Sequence, residues 1–421
     1  MRNVSAVRNL GSPAAVVLGV GGLYVGQSII SGMTFSALPS VLRDRGLPLD
    51  QIGLVYLAVL PWVLKFLWAP ALERYRLPAT GPSRSRSIVL VGGLISAASL
   101  VLVGLIGPNS LVPLMAVLIV IAFAASTVDI ACDGHAVESL SERHHGWGNA
   151  AQVGGAYIGA AIGSGLFLIL VDRLDWTWAT LTMAVLIVLL GLPFVLSPAP
   201  APAAPRTHQP SLRDALKRLD MRKGLALAAV YTLTQKWGLS MIGPFLVDKG
   251  LDLSFLGVIN GAGGLVVGFA CALIGGALVR MWGARAILVI ALLLQAGALS
   301  GLAAAAWSAE LPRMLLLGLA LASSSAIMAL GYVSLYAHFM ALSDPRQAGI
   351  DFTLLQCMDA FVSMVGGVGA GWITQHFGYG AFFGIAGMLA AAAVPAGALL
   401  SRRSNKAGEV RDRILLRQRA S

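Results

Sequence analysis

Residues 111–134 read LVPLMAVLIVIAFAASTVDIACDG, an apolar run that carries two carboxylates, Asp129 and Asp133, near its end. About 20 predominantly apolar residues cross the hydrocarbon core of a bilayer as a helix, so the run predicts a membrane span. Residues four apart on a helix share one face, about 6 Å apart along the axis. Charge at that depth is costly and persists where it meets a partner or a wet cavity. Asp129 and Asp133 are therefore the first candidates for a functional centre.

The rest of the chain agrees with a membrane protein. Of its 421 residues 57% are hydrophobic and only 12% charged, about half the charged share of a soluble domain. With that run included, apolar runs lie at 14–42, 50–71, 87–106, 111–140, 147–171, 177–196, 224–247, 254–279, 286–306, 312–341, 349–375 and 380–400. The predicted fold class is an all-α polytopic membrane protein with twelve transmembrane helices in two six-helix pseudo-repeats. The first run is long and followed at once by more, and reads as a retained helix rather than a signal peptide. Cys132, Cys271 and Cys357 all fall in apolar runs and offer no disulfide framework.

Basic residues set the expected orientation. Twenty-three of the thirty Lys and Arg fall on the side that holds both termini and five on the other, with Lys65 and Lys236 inside spans. The positive-inside rule places both termini in the cytoplasm. Most of the net charge of +11 is then a topology signal, and no nucleic-acid partner is implied. The expected domains are an N-terminal bundle (1–196), a Pro-rich and basic cytoplasmic linker (197–223), a C-terminal bundle (224–400) and a basic cytoplasmic tail (401–421). SPAPAPAAPRTHQP (197–210) reads as a semi-rigid spacer and SLRDALKRLDMRK (211–223) as a short surface-lying stretch.

The halves repeat. LRDRGLPLDQIG (42–53) aligns with LVDKGLDLSFLG (246–257), superposing Gly46 on Gly250 and Gly53 on Gly257, and His135 falls on His338 at nearly the same offset. A parallel duplication of six-span halves is similar to the arrangement of the major facilitator superfamily, whose substrate site lies between the halves near the midplane.

Three motifs narrow the resemblance. IGLVYLAVLPWVLKFLWAPALERY (52–75), DIACDG (129–134) and KWG (236–238) resemble the AmpG-like major facilitators. That family includes muropeptide permeases, acetyl-coenzyme A transporters and inner-membrane permeases for iron–siderophore complexes. In its muropeptide members an Asp often follows the Lys-x-Gly of span seven, and Leu239 stands there instead. GWGNAAQVGGAYIGA (146–160) and DGHAVE (133–138) look most like the siderophore-permease branch, the ferripyochelin and rhizobactin importers. The resemblance implies a proton-coupled importer of an iron–siderophore complex in the bacterial inner membrane. The alternatives are a peptidoglycan-fragment permease and a proton-coupled drug exporter; the lack of a Gly-Pro in span five argues against the exporter.

Charged residues inside spans are the site candidates. Lys65 is expected to pair with Asp129 or Asp133, either as a proton-coupling centre or as a fixed structural pair. Lys236, near the middle of span seven, suits an anionic substrate or pairs with Asp359. Asp351, at the entrance to its span, reads as a carboxylate at a helix N-terminus. Tyr24, Gln27, Trp62, Gln152, Tyr157, Gln235, Trp237, Tyr332, Tyr336 and Gln356 would as a set line an aromatic site for a bulky ligand, although for each alone packing or an interhelical hydrogen bond is the better reading. Glu73 and Arg74 resemble the superfamily's latch between spans two and three. His135 and His338 could gate the cytoplasmic exit, or snorkel to the interface. No ATP-binding loop, HExxH or GxSxG motif is present, so the chain is not expected to be an enzyme. No cofactor is expected: the proton motive force supplies energy, and any iron arrives on the substrate. The expected partners are a small-molecule substrate, protons and the bilayer, with the chain acting as a monomer.

Overall fold

The computed structural model describes residues 13–76, 78, 82–139, 145–197, 212–308, 312–342 and 348–401. Most of the Pro/Ala spacer and of the basic tail lies outside these residues. Every regular element among them is helical. Spans 1 to 6 run over Leu18–Asp44, Leu49–Leu67, Ser85–Ile106, Leu111–Ala136, Gly154–Arg173 and Trp176–Leu196. Spans 8, 9 and 10 cover Leu253–Trp282, Ala284–Trp307 and Arg313–Phe339.

Two features complete the twelve. The long helix Ala348–Leu400 turns at Gly378, whose φ of 79° a glycine adopts freely, and so forms spans 11 and 12. Span 7 is two helices, Leu219–Leu239 and Ile242–Asp248, interrupted at Ser240 and Met241. The twelve-span, two-repeat class read from the sequence is the fold.

The duplicated motif explains how the halves meet. Gly46 and Gly250 both have positive φ, 82° and 81°, and turn the chain after spans 1 and 7 at what is called here the far end of the bundle. The first and last described residues, Pro13 and Ser401, lie at the opposite, near end. Gly53 of span 2 packs on span 11: a Cβ there would lie 3.0 Å from Gly371 Cα. Its repeat mate Gly257 of span 8 packs on span 5, where a Cβ would come within 2.6 Å of the Gly165 carbonyl oxygen. The same sequence element thus makes the same close approach twice, as a pseudo-twofold relation requires.

Small residues let backbones meet where apolar side chains gain little from burial against equally apolar lipid. Spans 5 and 8 cross at local π-helical turns, Ala161–Leu166 and Ile259–Gly263. Polar contacts supplement this far-end closure. Arg43 Nε donates to Asp248 Oδ1 at 2.7 Å, Tyr379 OH to Asp248 Oδ2 at 2.8 Å, and Leu49 N–H to Gln375 Oε1 at 2.8 Å. Ser254 donates to Asp172 across the span 5–span 8 seam.

Span 2 is not one regular helix. Short α-helical pieces alternate with 3-10 turns at Leu54–Val59 and Lys65–Leu67. Pro61 removes a backbone donor in this stretch. The last 3-10 turn begins at Lys65 and thereby helps set the direction of its long side chain.

Candidate functional site

Two buried charge centres face the seam between the halves. In the N-terminal half Lys65 Nζ lies 3.0 Å from Asp129 Oδ2, with the lysine 3% exposed and the aspartate 7%. Span 4 is regular here, so Asp133 falls on the same side one turn along. Its carboxylate Oδ1 accepts a hydrogen bond from Tyr24 OH at 2.5 Å. The lysine therefore takes Asp129, and Asp133 takes a tyrosine of span 1. The Trp62 ring lies 5.2 Å from Lys65 Nζ, close enough for a cation–π contact.

In the C-terminal half Lys236 Nζ lies 2.5 Å from Asp359 Oδ2. Asp359 Oδ1 accepts Thr232 Oγ1 at 2.6 Å and Tyr332 OH at 2.8 Å. A carboxylate with three donors is well compensated for its burial. Lys236 keeps 29% of its side chain exposed, against 10% for Asp359. The cation, rather than the carboxylate, is the accessible partner.

Span 11 ties the two centres together. Lys65 Nζ also donates to Gln356 Oε1 at 3.3 Å, and the Cys357 thiol lies 3.5 Å from the Trp62 carbonyl oxygen. Gln356 and Asp359, three residues apart, stand one above the other on the helix. One turn of span 11 thus meets a lysine from each half.

Several candidates sit elsewhere. Trp237 packs edge-on against Phe382 at 5.3 Å; the ring beside Lys236 is Tyr332, 5.1 Å away. The sequence neighbour points away because adjacent helical residues lie about 100° apart. Gln235 is fully buried, with Nε2 3.5 Å from the Ala291 carbonyl of span 9. Gln27 faces a pocket among spans 1, 3, 4 and 6, within its own half. Tyr157 rests on Gly268 of span 8 and Gln152 is half-buried on the same helix as Tyr157. Tyr336 stacks edge-on against Tyr332 at 5.6 Å and so backs the Lys236 centre. His135 and His338 are 6% and 8% exposed and do not snorkel. The His135 ring lies edge-on against Phe194 at 4.7 Å.

At the near end it is Arg76, and not its neighbour Arg74, that meets Glu73. Arg76 is fully buried and makes a forked pair with Glu73, Nε to Oε2 at 2.8 Å and Nη2 to Oε1 at 2.7 Å, while Arg74 is exposed. The guanidinium covers Gly134, where a Cβ would lie 2.7 Å from Cζ. The glycine that closes DIACDG is thus the seat of this arginine. Residues i and i+3 share a helix face and i and i+1 do not, so spacing favoured Arg76. Thr232, one turn before Lys236, was missed although its i−4 spacing was the available signal. Asp351 is fully buried in the first turn of its helix and also pairs with Arg218.

Comparison with known proteins agrees with this architecture. The family model described as Major Facilitator Superfamily matches residues 20–349. The chain belongs to the Major Facilitator Superfamily. It is 27% identical over 382 residues to the anhydromuropeptide permease of Escherichia coli (strain K12), covering 88% of this chain and 76% of that protein. The nucleoside transporter NupG superposes with a TM-score of 0.68 at 14% identity, over 92% of this chain and all of that one. A bacterial homologue of the human lysosomal transporter Spinster gives 0.67 at 14% identity, over 93% and 96%. These structures share the fold. As a major facilitator the chain is a multi-pass membrane protein and a secondary transporter, not an enzyme. The siderophore branch read from the sequence finds no support in these relatives, whereas the muropeptide alternative does.

Proposed function

We propose that this transporter is an inner-membrane permease for anionic peptidoglycan fragments of the anhydromuropeptide type, working by alternating access with both termini in the cytoplasm. The observation that carries the reading is the pair of lysine centres meeting one turn of span 11, with Lys236 partly exposed. A muropeptide presents carboxylates on a peptide attached to a sugar, and two cations in low dielectric with rings beside them suit such a solute. Similarity to a muropeptide permease over 88% of the chain favours this cargo over iron–siderophore complexes. Each negative charge moved inward opposes the membrane potential by about 2.3 kcal/mol per 100 mV, so accumulation calls for protons as companions. The Asp133–Tyr24 and Asp129–Lys65 contacts supply carboxylates for that coupling.

One observation keeps the siderophore cargo as a second reading: Leu239 replaces the acid that often follows Lys-x-Gly in muropeptide members. Cells lacking their own permease and expressing this chain are expected to accumulate radiolabelled anhydromuropeptide, and to lose the accumulation with a protonophore. No muropeptide uptake alongside energised uptake of a ferric siderophore would reverse the order of the two readings.

A further inference from the structure

Asp359 divides its donors between its two oxygens. Oδ2 accepts the Lys236 ammonium at 2.5 Å, whereas Oδ1 accepts Thr232 Oγ1 at 2.6 Å and Tyr332 OH at 2.8 Å. Losing the lysine contact therefore leaves this carboxylate with two charge-assisted hydrogen bonds, and it is not stranded. The lysine, for its part, is placed to move. Its ammonium sits on a flexible four-carbon stem, and 29% of the side chain is exposed. The Tyr332 ring, 5.1 Å from Nζ, remains beside it as a cation–π partner.

The open side of Lys236 faces the space between the halves and not lipid. Phe361 and Val365, 47% and 55% exposed and one turn apart, mark the lipid face of span 11. Asp359 stands two residues from Phe361, about 200° around the helix. It shares its face with Gln356, which reaches Lys65 of the other half. The ammonium bound to Asp359 lies on that same side. Of the two lysines Lys236 is the one open to an arriving anion; Lys65, with 4% of its side chain exposed, adds its field rather than a contact.

We infer that Asp359 is a built-in stand-in for a substrate carboxylate: an arriving carboxylate takes the Lys236 ammonium from Asp359 Oδ2, while Thr232 and Tyr332 retain the released side chain through Oδ1. Between cycles the lysine is never left uncompensated, which at this depth would be strongly unfavourable. The exchange also selects by charge, since a neutral solute cannot draw the ammonium away and a cation is repelled by it. Thr232 and Tyr332 are positioning residues that act through Asp359 and ease its release. That the arriving carboxylate belongs to a peptidoglycan fragment rests on the function proposed above; the exchange at Lys236 does not.

Formate, a carboxylate small enough to need no other contact, probes the exchange, with chloride at equal ionic strength as the control. The melting temperature of the purified full-length protein in detergent micelles is followed as formate is added. Asp359→Asn keeps a carbonyl acceptor for the two hydroxyls and removes the competing charge. It is expected to show a saturable, formate-specific rise, half-complete at about tenfold lower formate than in the wild type. Lys236→Met should abolish the rise in either background. Thr232→Val and Tyr332→Phe should each raise the formate needed by the wild-type chain several-fold and leave the Asp359→Asn response unchanged, a dependence that a merely structural role would not produce. If Asp359→Asn fails to fold, the wild-type response and its dependence on Lys236 and the two hydroxyls decide. No formate-specific rise, a rise that survives Lys236→Met, or equal midpoints in Asp359→Asn and wild type would overturn the exchange. Anhydromuropeptide is titrated in parallel: if it fails to bind the wild type while formate acts through Lys236, the cargo reading falls and the exchange site stands.

Discussion

Truncating Asp359 tests the energetics of the C-terminal centre. Its carboxylate accepts Lys236 at 2.5 Å, Thr232 at 2.6 Å and Tyr332 at 2.8 Å, with 7% of the residue exposed. Asp359→Ala removes all three acceptor contacts and strands an ammonium group. Removing one partner of a fully buried ion pair costs about 3–5 kcal/mol, and the 29% exposure of the Lys236 side chain lowers the expected loss to about 2–3 kcal/mol. The cost belongs to the uncompensated charge and not to the missing bonds. Asp359→Leu combined with Lys236→Met should therefore recover stability to within about 1 kcal/mol of the parent. With Asp359→Leu and Lys236→Met also measured singly, chemical unfolding of the purified protein in mixed micelles gives all four corners of the double-mutant cycle. Substrate uptake should be lost in the single and double variants alike, since neither retains the charge pair. A double variant no more stable than Asp359→Ala would refute the reasoning, because the loss would then lie in packing between spans 7 and 11.

Further outcomes follow from contacts elsewhere in the bundle. Arg76→Ala breaks the part-buried fork with Glu73, whose side chain is 31% exposed, and should destabilise by about 2–3 kcal/mol, whereas Arg74→Ala on the exposed face should change stability by less than about 0.5 kcal/mol; unfolding midpoints of both variants decide. Gly165→Leu puts a side chain where even a Cβ would lie 2.4 Å from Gly261 Cα. It should prevent far-end closure, seen as increased thiol labelling of single cysteines placed beside that seam and as lost uptake; unchanged labelling would contradict the close approach. Arg43→Ala removes a pair whose side chains are 26% and 29% exposed and should cost only about 0–1 kcal/mol, with far-end accessibility little changed. Gln356→Leu removes a neutral acceptor from Lys65 and should lower stability by about 1 kcal/mol; if span 11 couples the halves, turnover should fall by much more than that loss of stability accounts for.

Span number, the two-repeat class and the charged residues worth inspecting were determined by the sequence. Each rests on a property read along the chain: the length of an apolar run, the price of a charge in lipid, a motif at 42–53 that recurs at 246–257. Gly46 and Gly250 did turn the chain in equivalent places, and Asp129, Lys65, Lys236 and Asp359 are all buried or nearly so. The tertiary structure alone decided the partners. Asp129 and Asp133 share a face in sequence terms, yet one takes a lysine of span 2 and the other a tyrosine of span 1, because span 4 presents successive turns to different neighbours. Lys236 finds its ring in Tyr332 rather than in Trp237, and Gln27 turns into a crevice of its own half. Partner choice depends on where other helices lie around a given face. That placement is set by close approaches at Gly53, Gly165 and Gly134, the first two met by an opposing backbone and the last by the Arg76 guanidinium, partners that are identified only once the helices are in place.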